Sequence, residues 1–214
     1  MKESILAFDA AGAACSVAIW RAGGIAVHRR QPMVRGHAEA LMPLILETLA
    51  GAGTTFEDLG CIAVGVGPGS FTGIRIALAA ARGMALAADL SVVGVDSFRA
   101  VAAALPAGTR GGRALLVAID SKRDALFGQY YDAGLLPLGE ALVLAPEALL
   151  DRRPLGALLI VGDGASRFSP APEVEITAQD YAVDAAWIAQ LAAAGRAERS
   201  PRPLYLRPAD VTLT

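Results

Sequence analysis

The residues with the clearest chemical potential lie in one stretch, "GVGPGSFTGIR", from Gly65 to Arg75. Backbone N–H groups at the start of a helix attract anions, and glycines let a phosphate come close to the main chain. Here Gly67 and Gly69 would supply that approach, Ser70 or Thr72 would cap the following helix, and Arg75 sits one turn in. The pattern departs from both nucleotide fingerprints. A Walker loop needs Gly-x-x-x-x-Gly-Lys-Ser/Thr, and there is no lysine; the dinucleotide pattern Gly-x-Gly-x-x-Gly fails because Ser70 stands where the third glycine belongs. A sharp strand-to-helix turn with a side-chain cap explains the same spacing. The loop alone leaves both readings open.

Two aspartates end strand-like runs: Asp9 follows "SILAF" and Asp120 follows "LLVAI". Such a carboxylate could hold a metal-bound water in a cleft between lobes, as general-base chemistry requires. It could equally close its own turn by accepting from the backbone two residues on. Recurrence at matching positions adds weight to the cleft. His28 and His37 are nine residues apart, and neither has a second histidine three or four residues away, so no helical metal pair can form. No serine–histidine or cysteine–histidine arrangement is legible. Arg196, Arg199, Arg202 and Arg207 could touch RNA phosphates or form a solvated tail.

The elements that must position these groups fall into two similar halves. "ESILAFDA", "CSVAIW" and "GIAVHRR" read as three strands, and a helix runs from His37 to Ala50. Thr54 or Thr55, with Glu57 or Asp58 three residues on, then caps a short turn. A buried strand (Cys61 to Val66), the glycine loop, a helix from about Thr72 to Ala88, the strand "SVVGV" and a helix from near Asp96–Ser97 complete an α/β unit. After the glycine-rich "LPAGTRGGR" the plan restarts. "ALLVAIDSKRDALFGQYYD" overlays "SILAFDAAGAACSVAIW", and "LLIVGDGASRF" echoes "IAVGVGPGSF". The expected organisation is an N-terminal lobe at 1–104, a joint at 105–113, and a trimmed C-terminal lobe at 114–214 that ends in a helix (181–194) and a proline-bounded tail.

Composition bounds the rest. The chain has 214 residues, 54% of them hydrophobic, and a net charge of -2, which argues against sequence-independent coating of nucleic acid. The first apolar run stops at Asp9, too short for an export signal. Ile74 to Ala88 carries Arg75 and Arg82 and spans about 15 residues, short of the roughly 20 a membrane span needs. A soluble cytoplasmic protein is expected, with Cys15 and Cys61 as buried thiols. A mean hydropathy of +0.46 implies a large core or an apolar surface kept for a partner. The first-lobe helices fit the second idea. Leu41, Leu44, Ile45 and Leu49 form one stripe and Met42 and Leu46 a second, while nearly every position of "TGIRIALAAARGMALAA" is apolar or small. Full burial inside the chain would explain the same pattern.

Three segments together resemble the TsaB (YeaZ) family: "ILAFDAAGAACSVAIW", "RGHAEALMPLILETL" and, most specifically, "GVGPGSFTGIRIALAAARGMALAADLSVVGVDSF". The second half matches through "DSKRDALFGQYY" and "PLYLRP". The resemblance implies a duplicated, two-lobed actin/hexokinase/Hsp70-like (ribonuclease H-like) α/β fold with its second lobe trimmed. It also implies a role in making threonylcarbamoyladenosine beside the anticodon of tRNAs that read codons beginning with A. In that scheme TsaB is the non-catalytic partner of the related TsaD, and TsaE, an ATPase, is a further partner. The free chain would form a homodimer, and tRNA is the substrate of the complex.

TsaD-like chains carry a His-x-x-x-His metal pair after the strand that follows the glycine-loop helix. Ser97 and Val101 of "GVDSFRAV" stand in those places here, and neither suits a transition metal. The expectation is therefore no metal and no cofactor on this chain alone, with ATP and a divalent metal used through partners. Asp9 and the loop (Gly67, Gly69, Ser70, Thr72, Arg75) would be a vestigial or shared nucleotide site. The partner interface would draw on Leu41, Met42, Ile45, Leu46, Ile76, Ala80 and Met84. Two rivals remain: a small-molecule kinase of the same fold with Asp9 as base, and a self-acting metallopeptidase. The turn after Asp120 (Ser121-Lys122-Arg123) lacks the glycines that the kinase would need, and the peptidase has no ligand set.

Overall fold

Alternation of apolar runs with turn residues produces two sheets with one shared strand plan. The computed structural model describes residues 4–179 and 181–207. In the first unit β1 (Ser4–Asp9), β2 (Ala14–Arg21) and β3 (Gly24–Pro32) form an antiparallel meander. Helix α1 (His37–Gly51) leads to β4 (Leu59–Gly65), and α2 (Phe71–Ala88) leads to β5 (Ser91–Val95). Strands β4 and β5 run parallel to β1, and α3 (Ser97–Ala104) follows. Residues 105–113, expected as a loose joint, include the single turn α4 (Ala107–Arg110).

The second unit repeats the plan. Strands β6 (Ala114–Asp120), β7 (Leu126–Tyr131) and β8 (Leu142–Leu144) form the meander. Helix α5 (Pro146–Leu150), β9 (Leu158–Val161) and β10 (Val174–Ile176) follow. The sheet orders are β5-β4-β1-β2-β3, extended at the β5 edge, and β10-β9-β6-β7-β8. The duplication is thus topological as well as textual. The trimming is visible where α2's counterpart shrinks to a single 3-10 turn, Ala165–Arg167.

One boundary differs from the sequence expectation. Residues 114–214 do not stay together: Val183–Leu204 belongs with the first unit, and the second comprises Ala104–Ala182 with residues from Tyr205. Helix α6 (Ala185–Ala193), shorter than the 181–194 expected, packs on β1 and β2, and β11 (Glu198–Arg199) adds an antiparallel edge to β5. The cause lies in the first sheet. Leu6, Phe8, Val17, Ile62 and Val64 face α1 and α2 on one side. The alternate positions Ala18, Ala7 and Ala63 form a cross-strand row of small residues on the other. A helix can approach such a row closely.

Polar contacts fix where α6 starts. The Ala185 N–H donates to Ser16 Oγ at 3.0 Å, and Asp184 caps the helix by accepting from the Ala186 N–H at 2.8 Å. His28 Nε2 lies 2.8 Å from Asp184 Oδ1, and Arg30 Nε lies 3.7 Å from Oδ2. Burial pushes the Asp184 carboxyl up, but His28, the Ala186 N–H and Arg30 outweigh it and hold the group below the usual carboxylate range.

Candidate functional site: the glycine loop and the outward helix face

The loop's glycines are spent on the protein's own main chain. Beyond β4 the chain makes a cis Gly67–Pro68 bond, with Gly67 at a φ of 92°. The Ser70 N–H donates to the Ala11 carbonyl at 2.8 Å, and Ser70 Oγ caps α2 by accepting from the Gly73 N–H at 3.2 Å. A Cβ on Gly69 would stand 2.7 Å from the Ala11 oxygen, and one on Gly73 only 2.1 Å from the Ala10 oxygen. These glycines therefore seat the loop on the β1–β2 turn. Arg75 stacks on the Phe71 ring, 3.8 Å from its centroid, and Thr72 is exposed. With the Ala11 and Ala10 carbonyl oxygens packed against Gly69 and Gly73, those two glycines offer an anion no open approach as the loop stands. The capped-turn alternative describes this geometry.

Asp9 is fully buried at the head of the loop. Its Oδ2 accepts from the N–H groups of Ala11 (2.9 Å) and Gly12 (3.2 Å), whereas Oδ1 has no hydrogen-bond partner. The carboxyl fills the space a side chain on Gly65 would need, since a Cβ there would lie 2.0 Å from Oδ1. Burial pushes the Asp9 pKa up to about 6 against the two N–H donors, and the nearby Asp184 charge adds to the rise. Its counterpart Asp120 is different. Asp120 is paired with Lys122 Nζ at 2.9 Å and Arg167 Nη1 at 3.4 Å. Burial raises that carboxyl, but the Lys122 hydrogen bonds and the two cations together bring it below the ordinary range. Matching sequence positions thus carry opposite electrostatics.

The Asp9 shift yields a prediction. Its folded-state pKa lies above the unfolded value of 3.8. The linked stability is therefore complete below about pH 4 and is lost as pH rises through about 6, by roughly 3 kcal/mol in all. Asp9→Asn should flatten that decline in denaturant titrations at pH 4, 5, 6 and 7. Parallel pH profiles for the variant and the parent would show that Asp9 does not titrate this way.

Ser97 and Val101 are both buried on one side of α3, and the Ser97 N–H donates to the Gly67 carbonyl at 2.7 Å. Among the described residues no three His, Cys, Asp or Glu side chains are placed to hold a metal ion. Cys15 and Cys61 are free thiols; burial pushes Cys15 up to about 11, with the Asp9 charge adding to it. Arg196, Arg199 and Arg202 are exposed, and Arg207 is half-buried; residues 208–214 of the tail lie outside the described residues.

The helix stripes divide in one way only. Leu41, Leu44, Ile45 and Leu49 are core residues against β2, so Leu41 and Ile45 cannot meet a partner and leave the expected interface. Met42 and Leu46 face outward, 38% and 53% exposed. Ile76, Ala80 and Met84 are half-buried along one side of α2, and Leu86 is 87% exposed. Sequence reasoning missed Leu86, although its place beyond the buried positions of α2 marks it as an outward residue. By length and composition α2 alone among the described helices could cross a membrane; its buried side packs on β4.

Three comparisons bear on this geometry. A family profile described as "TsaD: tRNA N6-adenosine threonylcarbamoyltransferase" matches residues 27–151, more than half of the chain. The Escherichia coli (strain K12) tRNA threonylcarbamoyladenosine biosynthesis protein TsaB is 36% identical over 69% of this chain; the match spans 65% of that protein, just under two thirds of its length. The Haemophilus influenzae TsaB is 27% identical over 95% of this chain and 93% of its own. Among solved structures, YeaZ from Pseudomonas aeruginosa superimposes with a TM-score of 0.78 at 26% identity, covering 95% of this chain and 99% of that one.

Proposed function

The chain belongs to the TsaB (YeaZ) family of tRNA threonylcarbamoyladenosine biosynthesis proteins, and we propose that within this pathway it is the non-catalytic subunit that binds and activates a TsaD-like transferase. The observation that carries the reading is the outward helix face. Met42 and Leu46 on α1 and Leu86 on α2 leave large apolar side chains in solvent, Ile76, Ala80 and Met84 are half-buried on α2, and exposed apolar side chains of this kind are stabilised by a protein partner. The loop supports the same division of labour, because its glycines accommodate Ala10 and Ala11 rather than a ligand.

The reading extends to the whole complex. A TsaE-type ATPase is a further partner, tRNA is the substrate of the assembly, and the location is cytoplasmic. ATP and a divalent metal act through the partners, and this chain alone binds neither. In the absence of the transferase the same apolar face closes on a second copy of the chain. No described observation favours the kinase alternative.

Co-expression with the source cell's TsaD homologue tests the proposal. The two proteins are expected to elute as one species, and tRNA from cells depleted of this chain should lose threonylcarbamoyladenosine. Separate elution with unchanged tRNA modification would remove the subunit assignment. Tight ATP binding by the isolated chain would point instead to the kinase.

A further inference from the structure

The segment after α6 does more than extend a sheet edge. Residues 198–204 run from β11 across the end of β4, where the glycine loop begins. β11 pairs Glu198 with Gly94 and Arg199 with Val93. Pro201 is buried and fills the space over Gly94: a Cβ on Gly94 would lie 2.5 Å from the Pro201 Cβ and 2.7 Å from Val66 Cγ1. The Leu204 N–H donates to the Val66 carbonyl at 2.8 Å, and the Leu204 carbonyl oxygen lies 3.1 Å from where a Gly67 Cβ would stand. From α2, Arg82 Nη2 donates to the Pro201 carbonyl at 3.0 Å across 119 residues of sequence. The strap is therefore held at three points, and one of its residues, Leu204, sits on both Val66 and Gly67.

We propose that residues 198–204 are a latch that keeps the glycine loop closed, with Arg82 as its anchor. Val66 and Gly67 are the hinge between β4 and the loop, so the hydrogen bond from Leu204 fixes the loop's point of departure. The Arg82 guanidinium supplies a charge-assisted bond to the Pro201 peptide carbonyl. Arg82 also lies on the solvent side of α2, four residues before Leu86. The latch is thus anchored from outside the core, and it can open without unpacking β1 or β4. This inference does not rest on the subunit reading, because every contact it uses lies within the first unit.

Hydrogen exchange on the full chain tests it, comparing the parent with Arg82→Met and, at the strap's other end, Leu204→Pro. The second change deletes the N–H that bonds Val66 while leaving Arg82 in place. Exchange at 199–204 and at 66–70 is expected to rise together, by about tenfold in Arg82→Met, with β1 and β2 as protected as in the parent. Faster exchange of the strap without the loop would overturn the latch, and so would unchanged exchange in both variants. If one variant loses protection in β1 and β2 as well, the other decides.

Discussion

Leu46→Glu should release this chain from the transferase proposed as its partner and leave the free protein as stable as before. Leu46 is half-exposed on α1, so a carboxylate there stays hydrated in the free chain, and the fold should change by no more than about 0.5 kcal/mol. On docking against an apolar face, the same carboxylate would be stripped of water, a penalty sufficient to cost binding several orders of magnitude. Its neighbour gives the opposite result. Ile45 has no exposed surface and packs in the cluster with Leu6, Phe8 and Val17. Ile45→Glu buries an unpaired charge and should cost about 4 kcal/mol or more, a large fraction of a domain's marginal stability. Co-elution and thermal melts of the two variants give the comparison. A Leu46→Glu chain that still co-elutes would move the interface off α1, and an Ile45→Glu chain that melts like the parent would reverse the assignment of the stripes.

The second large effect is at Gly73. A methyl group there would meet the Ala10 carbonyl oxygen at 2.1 Å and the Ala11 Cα at 2.9 Å. Both belong to backbone, so no side-chain rotation relieves the clash, and α2 or the β1–β2 turn must shift. Gly73→Ala should therefore cost about 3 kcal/mol or more. Gly83, ten residues on in the same helix, has nothing within 4 Å of its would-be Cβ. Gly83→Ala should instead stabilise by about 0.8 kcal/mol, the usual helical gain of alanine over glycine. Denaturation midpoints of the two variants separate a loop seated on the main chain from a loop open to a ligand. Equal effects at the two glycines would mean that the loop is not seated on Ala10–Ala11.

The sequence by itself determined what local pattern can encode. Strand and helix order followed from the alternation of apolar runs with glycine-rich turns. The duplicated plan followed from two overlays, and the sheets reproduce it strand for strand. The "GPGSFTGIR" run and its flanks pointed to the family that the comparisons identify. Ser97 and Val101, at the places where the resemblance expects metal ligands, can be read directly.

Only the tertiary structure decided which groups face which. Periodicity separated Leu41 and Ile45 from Met42 and Leu46, but both stripes are apolar; what covers the first is the face of β2, distant in sequence and invisible in a helical repeat. Asp9 and Asp120 share a sequence context and differ in their neighbours. One is buried with an oxygen unpaired, and the other is held by Lys122 and by Arg167, 47 residues further on. The return of α6 depends on a row of three alanines from three strands and on Ser16 and His28, more than 150 residues before the helix that they receive. Local sequence sets which faces are apolar, small or charged, and the free energy of packing distant segments sets which of those faces meet.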